Sequence, residues 1–167
     1  NAGECAIPTT MTIVVNQPNI QPLFTQVQPV CGGGSISLPS TSNNGISGSW
    51  SPAINNQTTT TYTFTPNVGQ CALPATMTIT VNNTPSAPTA ATPILYCQYA
   101  QPRVLTASSN YPLIWYSSAT GGTGSSSAPT PSTTSTGNQY YYVSQSNGTC
   151  ESPRTQIVVG VTPKPSF

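Results

Sequence analysis

Short runs of alternating apolar and polar residues follow one another along the chain, separated by clusters of Pro, Gly and Asn. In residues 6–15, for example, Met11, Ile13 and Val15 occupy every second position. A period of two with many Thr and Val residues is typical of a β-strand, and no segment shows the 3.6-residue period of a helix. The pattern therefore predicts an all-β protein whose first strand lies at residues 6–15.

The same period predicts further strands, which end at recognisable turn sequences. Asn44-Gly45, Gly121-Gly122 and Asn147-Gly148 mark turns, because these residues tolerate the backbone conformations that tight turns need. Residues 121–137, rich in Gly, Ser and Thr, are expected to form a long polar connection. The predicted strands are Ile20–Val27, Ser35–Leu38, Gly45–Ser51, Thr59–Thr65, Ala75–Val81, Arg103–Ala107, Leu113–Ser117, Gln139–Gln145 and Thr155–Val161.

An internal repeat divides the chain into modules. Residues 1–16 return at 67–82 after a shift of 66 residues, with the Cys, Pro and Met positions kept. A repeat of this length suits one small domain better than a solenoid unit. We therefore expect the C-terminal strand of a truncated preceding repeat in 1–17, a complete repeat in 18–82, a Pro-rich linker in 83–93, a repeat of a second type in 94–163 and the start of the next linker in 164–167.

The two complete repeats are built alike although their sequences differ. Cys31 precedes Trp50 by 19 residues, and Cys97 precedes Trp115 by 18. In each repeat a Tyr-rich strand, a Cys and a strand rich in Val or Ile follow. Several short strands at regular spacing favour a β-sandwich for each repeat. The Trp of each repeat is expected in the core; the alternative is an exposed Trp that stacks on sugars.

Charged residues make up only 3% of the chain, which narrows the possible classes of function. There is no Asp and no His, and residues 17–82 carry no acid and no base. Acid–base catalysis, a calcium cage and a His-ligated zinc site need such groups, so we expect no catalytic, cofactor-binding or metal-binding residue. With a net charge of +1 and no run of about 20 apolar residues, neither nucleic acid nor direct membrane insertion is expected. Glu151 and Arg154 are expected to form an exposed pair worth under about 1 kcal/mol.

The chain has five cysteines, namely Cys5, Cys31, Cys71, Cys97 and Cys150. Neither a CxxC pair nor a His accompanies them, so structural disulfides are favoured over a zinc site or a catalytic thiol. The simplest assignment pairs Cys31 with Cys71 and Cys97 with Cys150, one disulfide inside each repeat. Cys5, which matches Cys71 under the repeat shift, is then left unpaired by truncation. Disulfides indicate an oxidising compartment, which means secretion or the cell surface.

The second repeat carries a distinctive series of motifs. Trp115-Tyr116-Ser117-Ser118-Ala119-Thr120-Gly121-Gly122 is followed by Tyr141-Tyr142-Val143-Ser144-Gln145 and Cys150-Glu151-Ser152-Pro153-Arg154. This series resembles the immunoglobulin-like repeats of very large surface adhesins of the Bacteroidota, which are exported by the type IX secretion route and include gliding-motility adhesins. The first repeat, with Cys31-Gly32-Gly33-Gly34, resembles a second repeat type of the same proteins. The resemblance implies tandem immunoglobulin-like β-sandwich modules, each with one disulfide, on the outside of the cell.

Three tyrosines are candidates for contact with a ligand. The run Tyr140-Tyr141-Tyr142 must divide between the two faces of its strand, because side chains alternate along a strand. Tyr141 is expected to point inward with Val143, which leaves Tyr140 and Tyr142 pointing outward, where Tyr116 is also expected. The simpler interpretation is that exposed Tyr residues merely suit the strand conformation.

Two functions from different classes fit these features. The first is a structural and adhesive segment, a disulfide-stapled spacer in cell-surface attachment or gliding motility, with neighbouring immunoglobulin-like repeats, surface glycans or other surface proteins as partners. The alternative is an accessory carbohydrate-binding module of a secreted enzyme, which a flat row of Tyr116, Tyr140 and Tyr142 would favour. A third hypothesis, an enzyme fragment, is strongly disfavoured because the chain has only two acids and no His. Residues 1–16 allow one further hypothesis, donation of a strand to another chain, against the simpler one that an array is cut there.

Overall fold

The computed structural model describes residues 8–14 and 20–165. All regular structure in these residues is β, without a helix, which confirms the all-β prediction for them. The strands are β1 (Val30–Cys31), β2 (Gly48–Ser51), β3 (Thr60–Pro66), β4 (Ala75–Ile79), β5 (Val81–Asn82), β6 (Ile94–Cys97), β7 (Leu113–Tyr116), β8 (Gly137–Gln145) and β9 (Thr155–Thr162).

These residues form two compact units, each built from three separate segments of the chain. The first unit comprises the described residues up to Gln28, together with Ile36–Ile54 and Thr60–Ile79. The second comprises Pro29–Ser35, Asn55–Thr59 and the described chain from Thr80 onward. The segment around Cys31 therefore belongs to the second unit, although the sequence places it in the 18–82 repeat.

An antiparallel sheet of β2, β3 and β4, in that order, forms the first unit. Large apolar residues alternate along β3, where Tyr62 and Phe64 are fully buried. The ring of Phe64 meets the rings of Phe24 and Trp50 at centroid distances of 4.8 and 5.2 Å. Trp50 thus contributes to the core of its repeat, as the sequence predicts, and its indole N–H donates to the carbonyl of Pro39 at 2.8 Å.

The predicted turn at Asn44-Gly45 is present and holds a neighbouring segment in place. Gly45 has a φ of 85°, and its amide donates to the carbonyl of Ser42 at 3.0 Å. The Asn44 side chain accepts a hydrogen bond from the Leu23 amide and donates one to the Gln21 carbonyl, both at 3.0 Å. Side-chain bonds thus replace part of a strand ladder here.

Several predicted strands are not strands in the described residues. They are residues 8–14 of the predicted 6–15 strand, Ile20–Val27, Ser35–Leu38 and Arg103–Ala107; the rest of 6–15 lies outside the described residues. Pro22 interrupts the second of these segments, because proline has no N–H to give to a ladder. Leu105 in the last segment is still buried, at 2% exposure, so its apolar position does mark the core. Met11, in contrast, is 85% exposed, and the alternation there does not mark a buried face.

A four-stranded sheet in the order β6-β9-β8-β7 forms most of the second unit. β6 pairs with β9 in parallel, and the other two pairs are antiparallel. Trp115 is only 4% exposed, which confirms it as a core residue. The core consists of Leu105, Trp115, Val143, Ile157 and Val159.

The long polar connection between β7 and β8 is ordered and covers this core. Ser125 exchanges two backbone hydrogen bonds with Trp115, at 2.8 and 2.9 Å. Further on, the carbonyl of Pro129 accepts a hydrogen bond from the amide of Leu105 at 3.0 Å, and Pro131 is fully buried. The connection is therefore a packed layer of the second unit.

The structure corrects the predicted disulfides. Cys31 bonds to Cys150, with 5.7 Å between their Cα atoms, whereas Cys71 and Cys97 are free thiols. The pairings Cys31–Cys71 and Cys97–Cys150 are therefore wrong, and Cys5 lies outside the described residues.

The strand register gives the physical reason for the error in the second repeat. Cys97 lies opposite Thr162, at the end of β9, whereas Cys150 lies in the loop that precedes β9. The eight residues of β9 span roughly 23 Å at the usual rise of a strand. A disulfide requires Cα atoms within about 7 Å of each other, so these two cysteines cannot bond.

Candidate functional site

The three tyrosines that the sequence singles out lie together on one face of the four-stranded sheet. Tyr116 pairs with Tyr142, and residues directly opposite each other share a face. Tyr140, two positions earlier in β8, lies on that face as well. Tyr140 is 51% exposed, and Tyr116 and Tyr142 are partly buried. Tyr141 faces the other way and packs against the core.

Two charged side chains contact Tyr116 from different directions. The Tyr116 hydroxyl donates to Oε1 of Glu151 at 2.8 Å. The guanidinium carbon of Arg154 lies 3.2 Å from the centre of the Tyr116 ring, a cation–π contact. The sequence places Glu151 and Arg154 in a direct pair; in the structure Tyr116 is the group that both of them contact.

Backbone carbonyls and a buried hydroxyl complete this arrangement. Nη1 of Arg154 donates to the carbonyls of Ser118 and Gly121, both at 2.8 Å, and so holds the turn after β7. The hydroxyl of Ser144, a fully buried residue, donates to the same Glu151 oxygen at 2.6 Å. Ser144 is not among the residues predicted from the sequence; its position two residues after Tyr142, on the same strand face, is the signal that marks it.

The surroundings of Tyr116 and Tyr141 keep the hydroxyls of these two residues protonated. Burial raises the pKa of Tyr116 above its usual 10.0, and the hydrogen bond to the Glu151 carboxylate raises it further, while Arg154 acts in the opposite direction. Burial also raises the pKa of Tyr141. At neutral pH these phenols therefore serve as hydrogen-bond donors and ring surfaces, and not as bases.

The tyrosines do not form a uniform row for stacking on a sugar. Arg154 covers one face of the Tyr116 ring at 3.2 Å, so that face is closed to another flat group. The Tyr142 hydroxyl accepts a hydrogen bond from Nε2 of Gln156 at 3.0 Å, which fixes its position. Tyr140 is the most exposed of the three, at 51%, and offers the largest free ring surface.

A cavity of about 310 Å³ opens beside the core of the same unit. Its lining combines the aromatic residues Trp115, Tyr116 and Tyr141 with hydroxyls from the polar connection, such as Ser125 and Ser127. The volume is at the small end of the range for ligand pockets. None of the residues that line it is an acid, a His or a Lys.

Over the described ranges, no three His, Cys, Asp or Glu side chains come together in a way that could hold a metal ion. In the same part of the chain, no helix has the length and apolar character needed to cross a membrane. The described site itself offers hydrogen bonding and ring contact.

Comparison with known proteins matches one part of the chain to a family. Residues 85–163 match a family model described as an Ig-like domain, CHU_C associated. This match supports an Ig-like repeat that contains the four-stranded sheet and the three tyrosines. Domains of this kind are structural repeats of extracellular type and are typically non-catalytic. No curated protein matches the chain.

Proposed function

We propose that the chain is a structural and adhesive repeat segment of a long extracellular surface adhesin or filament. It acts there as a disulfide-stapled spacer in cell-surface attachment or gliding motility. Three observations support this proposal: the Ig-like match over residues 85–163, the charged fraction of only 3%, and the disulfide. A surface with so little charge is nearly indifferent to salt, and disulfides persist outside the reducing cytosol.

The observation that carries the proposal is the position of the disulfide. Cys31 and Cys150 are separated by 119 residues, so the bond closes a covalent loop around most of the chain. When the two ends of the chain are pulled, the force passes through the sulfur atoms, and the residues inside the loop are not stretched. A spacer with this property keeps its length under tension, which suits attachment of a moving cell.

Pulling single molecules by their two ends tests this function. The oxidised chain is expected to extend only by the residues outside the loop. After reduction, or in Cys31→Ala with Cys150→Ala, the extended chain should be longer by about 400 Å, because 119 more residues carry the force at roughly 3.5 Å each.

The matched control replaces the two free thiols, Cys71→Ala with Cys97→Ala, and should leave the extension of the oxidised chain unchanged. An oxidised chain that shows no force peak before it reaches its full extension would contradict a mechanical role, even with the disulfide in place.

One observation favours the alternative, an accessory carbohydrate-binding module. Tyr140 is 51% exposed beside Tyr142, on an outward sheet face where sugar-stacking rings are expected. A glycan screen of the oxidised chain separates the two functions. The spacer function predicts no binding that depends on Tyr140; binding that is lost in Tyr140→Ala and kept in the control Tyr99→Ala, also exposed, would favour the carbohydrate-binding module.

A further inference from the structure

The observed disulfide crosses the boundary between the two sequence repeats. Cys31 is the first cysteine of the 18–82 repeat, and Cys150 is the second cysteine of the 94–163 repeat. Both lie in the second compact unit, because Pro29–Ser35 belongs to it. Each repeat is therefore left with one free thiol in the described residues, Cys71 in the first and Cys97 in the second.

Cys97 occupies the same structural position in its repeat that Cys31 occupies in the other. Cys31 ends β1 and lies opposite Asn82 in a parallel pair, and Cys97 ends β6 and lies opposite Thr162 in a parallel pair. Asn82 and Thr162 in turn end the last strands of their repeats. The amide one residue after each cysteine donates to the carbonyl of this opposite residue, at 2.9 and 2.8 Å.

The turns that follow the two cysteines also match. The amide three residues after each cysteine donates back to the cysteine carbonyl, at 2.8 Å for Cys31 and 3.0 Å for Cys97. Gly33 and Tyr99, each two residues after its cysteine, have φ values of 84° and 64°. Tyrosine seldom adopts a positive φ. Tyr99 nevertheless has one at the position that corresponds to Gly33, so the two turns share the same backbone conformation.

The second cysteines of the two repeats correspond in the same way. Cys71 lies five residues after the end of β3, in the loop before β4, and Cys150 lies five residues after the end of β8, in the loop before β9. Each follows a glycine two positions earlier with a left-handed backbone, Gly69 at a φ of 91° and Gly148 at 89°. Cys71 is therefore the counterpart of the bonded Cys150.

We propose that Cys97 forms a disulfide with the second cysteine of the repeat that follows, and Cys71 with the first cysteine of the repeat that precedes. Every pair of neighbouring repeats in the array is then joined by a disulfide equivalent to Cys31–Cys150. This inference rests on the proposed function in one respect, since it requires further repeats on both sides. Cys97 is exposed, with Leu95 and Tyr99 each 69% exposed beside it, so the thiol and its apolar neighbours are accessible to such a repeat.

Formation of each link is a two-electron oxidation. Two thiols lose their protons, one S–S bond forms, and two electrons must be accepted. A disulfide-bonded oxidant accepts them by thiol–disulfide exchange and leaves as two thiols; oxidised glutathione serves this purpose in the test tube. The step thus needs only the oxidising compartment that the Cys31–Cys150 bond already requires.

A tandem chain tests the proposal directly. A second copy of residues 83–163 is attached after Thr162, so that Thr162 takes the place that Asn82 has before the first copy. After refolding with oxidised glutathione and alkylation of the free thiols, peptide mapping should find Cys97 bonded to the Cys150 of the attached copy. The original Cys31–Cys150 bond should remain, and the Cys97 of the attached copy should be alkylated.

The matched control carries Cys150→Ala in the attached copy alone, and its original Cys97 should become fully alkylated. Alkylation of the original Cys97 in the unmodified tandem chain, with Cys31–Cys150 formed, would overturn the proposal. This result does not depend on whether the chain resists force, so the proposed link and the proposed function fail separately.

A second variant tests the equivalence of the two turns within the existing chain, independently of whether the attached copy folds. Gly32→Gln with Gly33→Tyr gives the Cys31 turn the residues that follow Cys97. A Cβ at either glycine meets no atom closer than 3.5 Å. Gly33 has a φ of 84°, so a tyrosine there must take up a strained backbone, as Tyr99 already does at 64°. The Cys31–Cys150 bond should still form in full; its loss would show that the Cys97 turn cannot support this link.

Discussion

Breaking the Cys31–Cys150 disulfide is expected to lower the free energy of unfolding of the second unit by roughly 3–5 kcal/mol. The bond closes a loop of 119 residues, and the chain-entropy treatment of so long a loop gives a value near the upper end of this range. Unfolding in guanidinium should be followed with and without reductant. With Trp50→Phe in the background, the fluorescence of Trp115 reports on the second unit alone.

Substitutions identify which cysteines are responsible. Cys31→Ala with Cys150→Ala should lower the free energy of unfolding by the same amount, and reductant should then have no further effect. Ala is chosen because Cys150 is only 2% exposed, and burying a Ser hydroxyl there would itself destabilise the unit. Cys71→Ala with Cys97→Ala is the matched control and should leave stability unchanged. Equal large losses in both double variants would restore the pairing inside each repeat, because each variant would then remove one partner from both disulfides.

The strands that the sequence predicts correctly are those whose alternation reflects a buried face. The predicted Thr155–Val161 corresponds to β9, Thr155–Thr162, in which Ile157 and Val159 are fully buried. The predicted Ile20–Val27 is not a strand, because Pro22 and the side chain of Asn44 replace the ladder that it would need. Local pattern thus indicates which side chains are buried better than it indicates which backbones pair.

The sequence could not predict the correct disulfide, for a different reason. Spacing along the chain shows which repeat contains a cysteine, but not at which end of a strand it lies. Cys97 lies opposite the last residue of β9 and Cys150 before its first, and only the parallel β6–β9 register shows this.

The sequence predicts on which face of the sheet each tyrosine of the candidate site lies, but not which residues the tyrosines contact. Strand alternation places Tyr140 and Tyr142 outward and Tyr141 inward, as the structure has them. The position of Arg154 over the Tyr116 ring depends on how the turn after β7 folds back, since the guanidinium is held by carbonyls of that turn. No local pattern in the sequence encodes this contact, and it decides which ring remains free.

Trp115→Ala is expected to lower the free energy of unfolding of the second unit by about 3–5 kcal/mol, as is typical when a large core side chain is truncated. Trp115 is 4% exposed and belongs to the core with Val143 and Ile157. The indole packs within this core and borders the cavity that the polar connection also lines, and Ser125 of that connection pairs with the Trp115 backbone. Its removal leaves a cavity that these bonded backbones cannot close. Far-UV circular dichroism in guanidinium measures the loss without relying on the deleted fluorophore.

Tyr140→Ala on the opposite face of the same sheet is the matched control. Because Tyr140 is 51% exposed, its truncation should change the free energy of unfolding by no more than about 0.5 kcal/mol. Trp115→Phe should fall between the two variants, since it keeps part of the ring in the core. Equal losses for Trp115→Ala and Tyr140→Ala would mean that the two faces of the sheet are not divided into a core and an outer surface, and the assignment of Tyr116, Tyr140 and Tyr142 to an exposed face would fail with it.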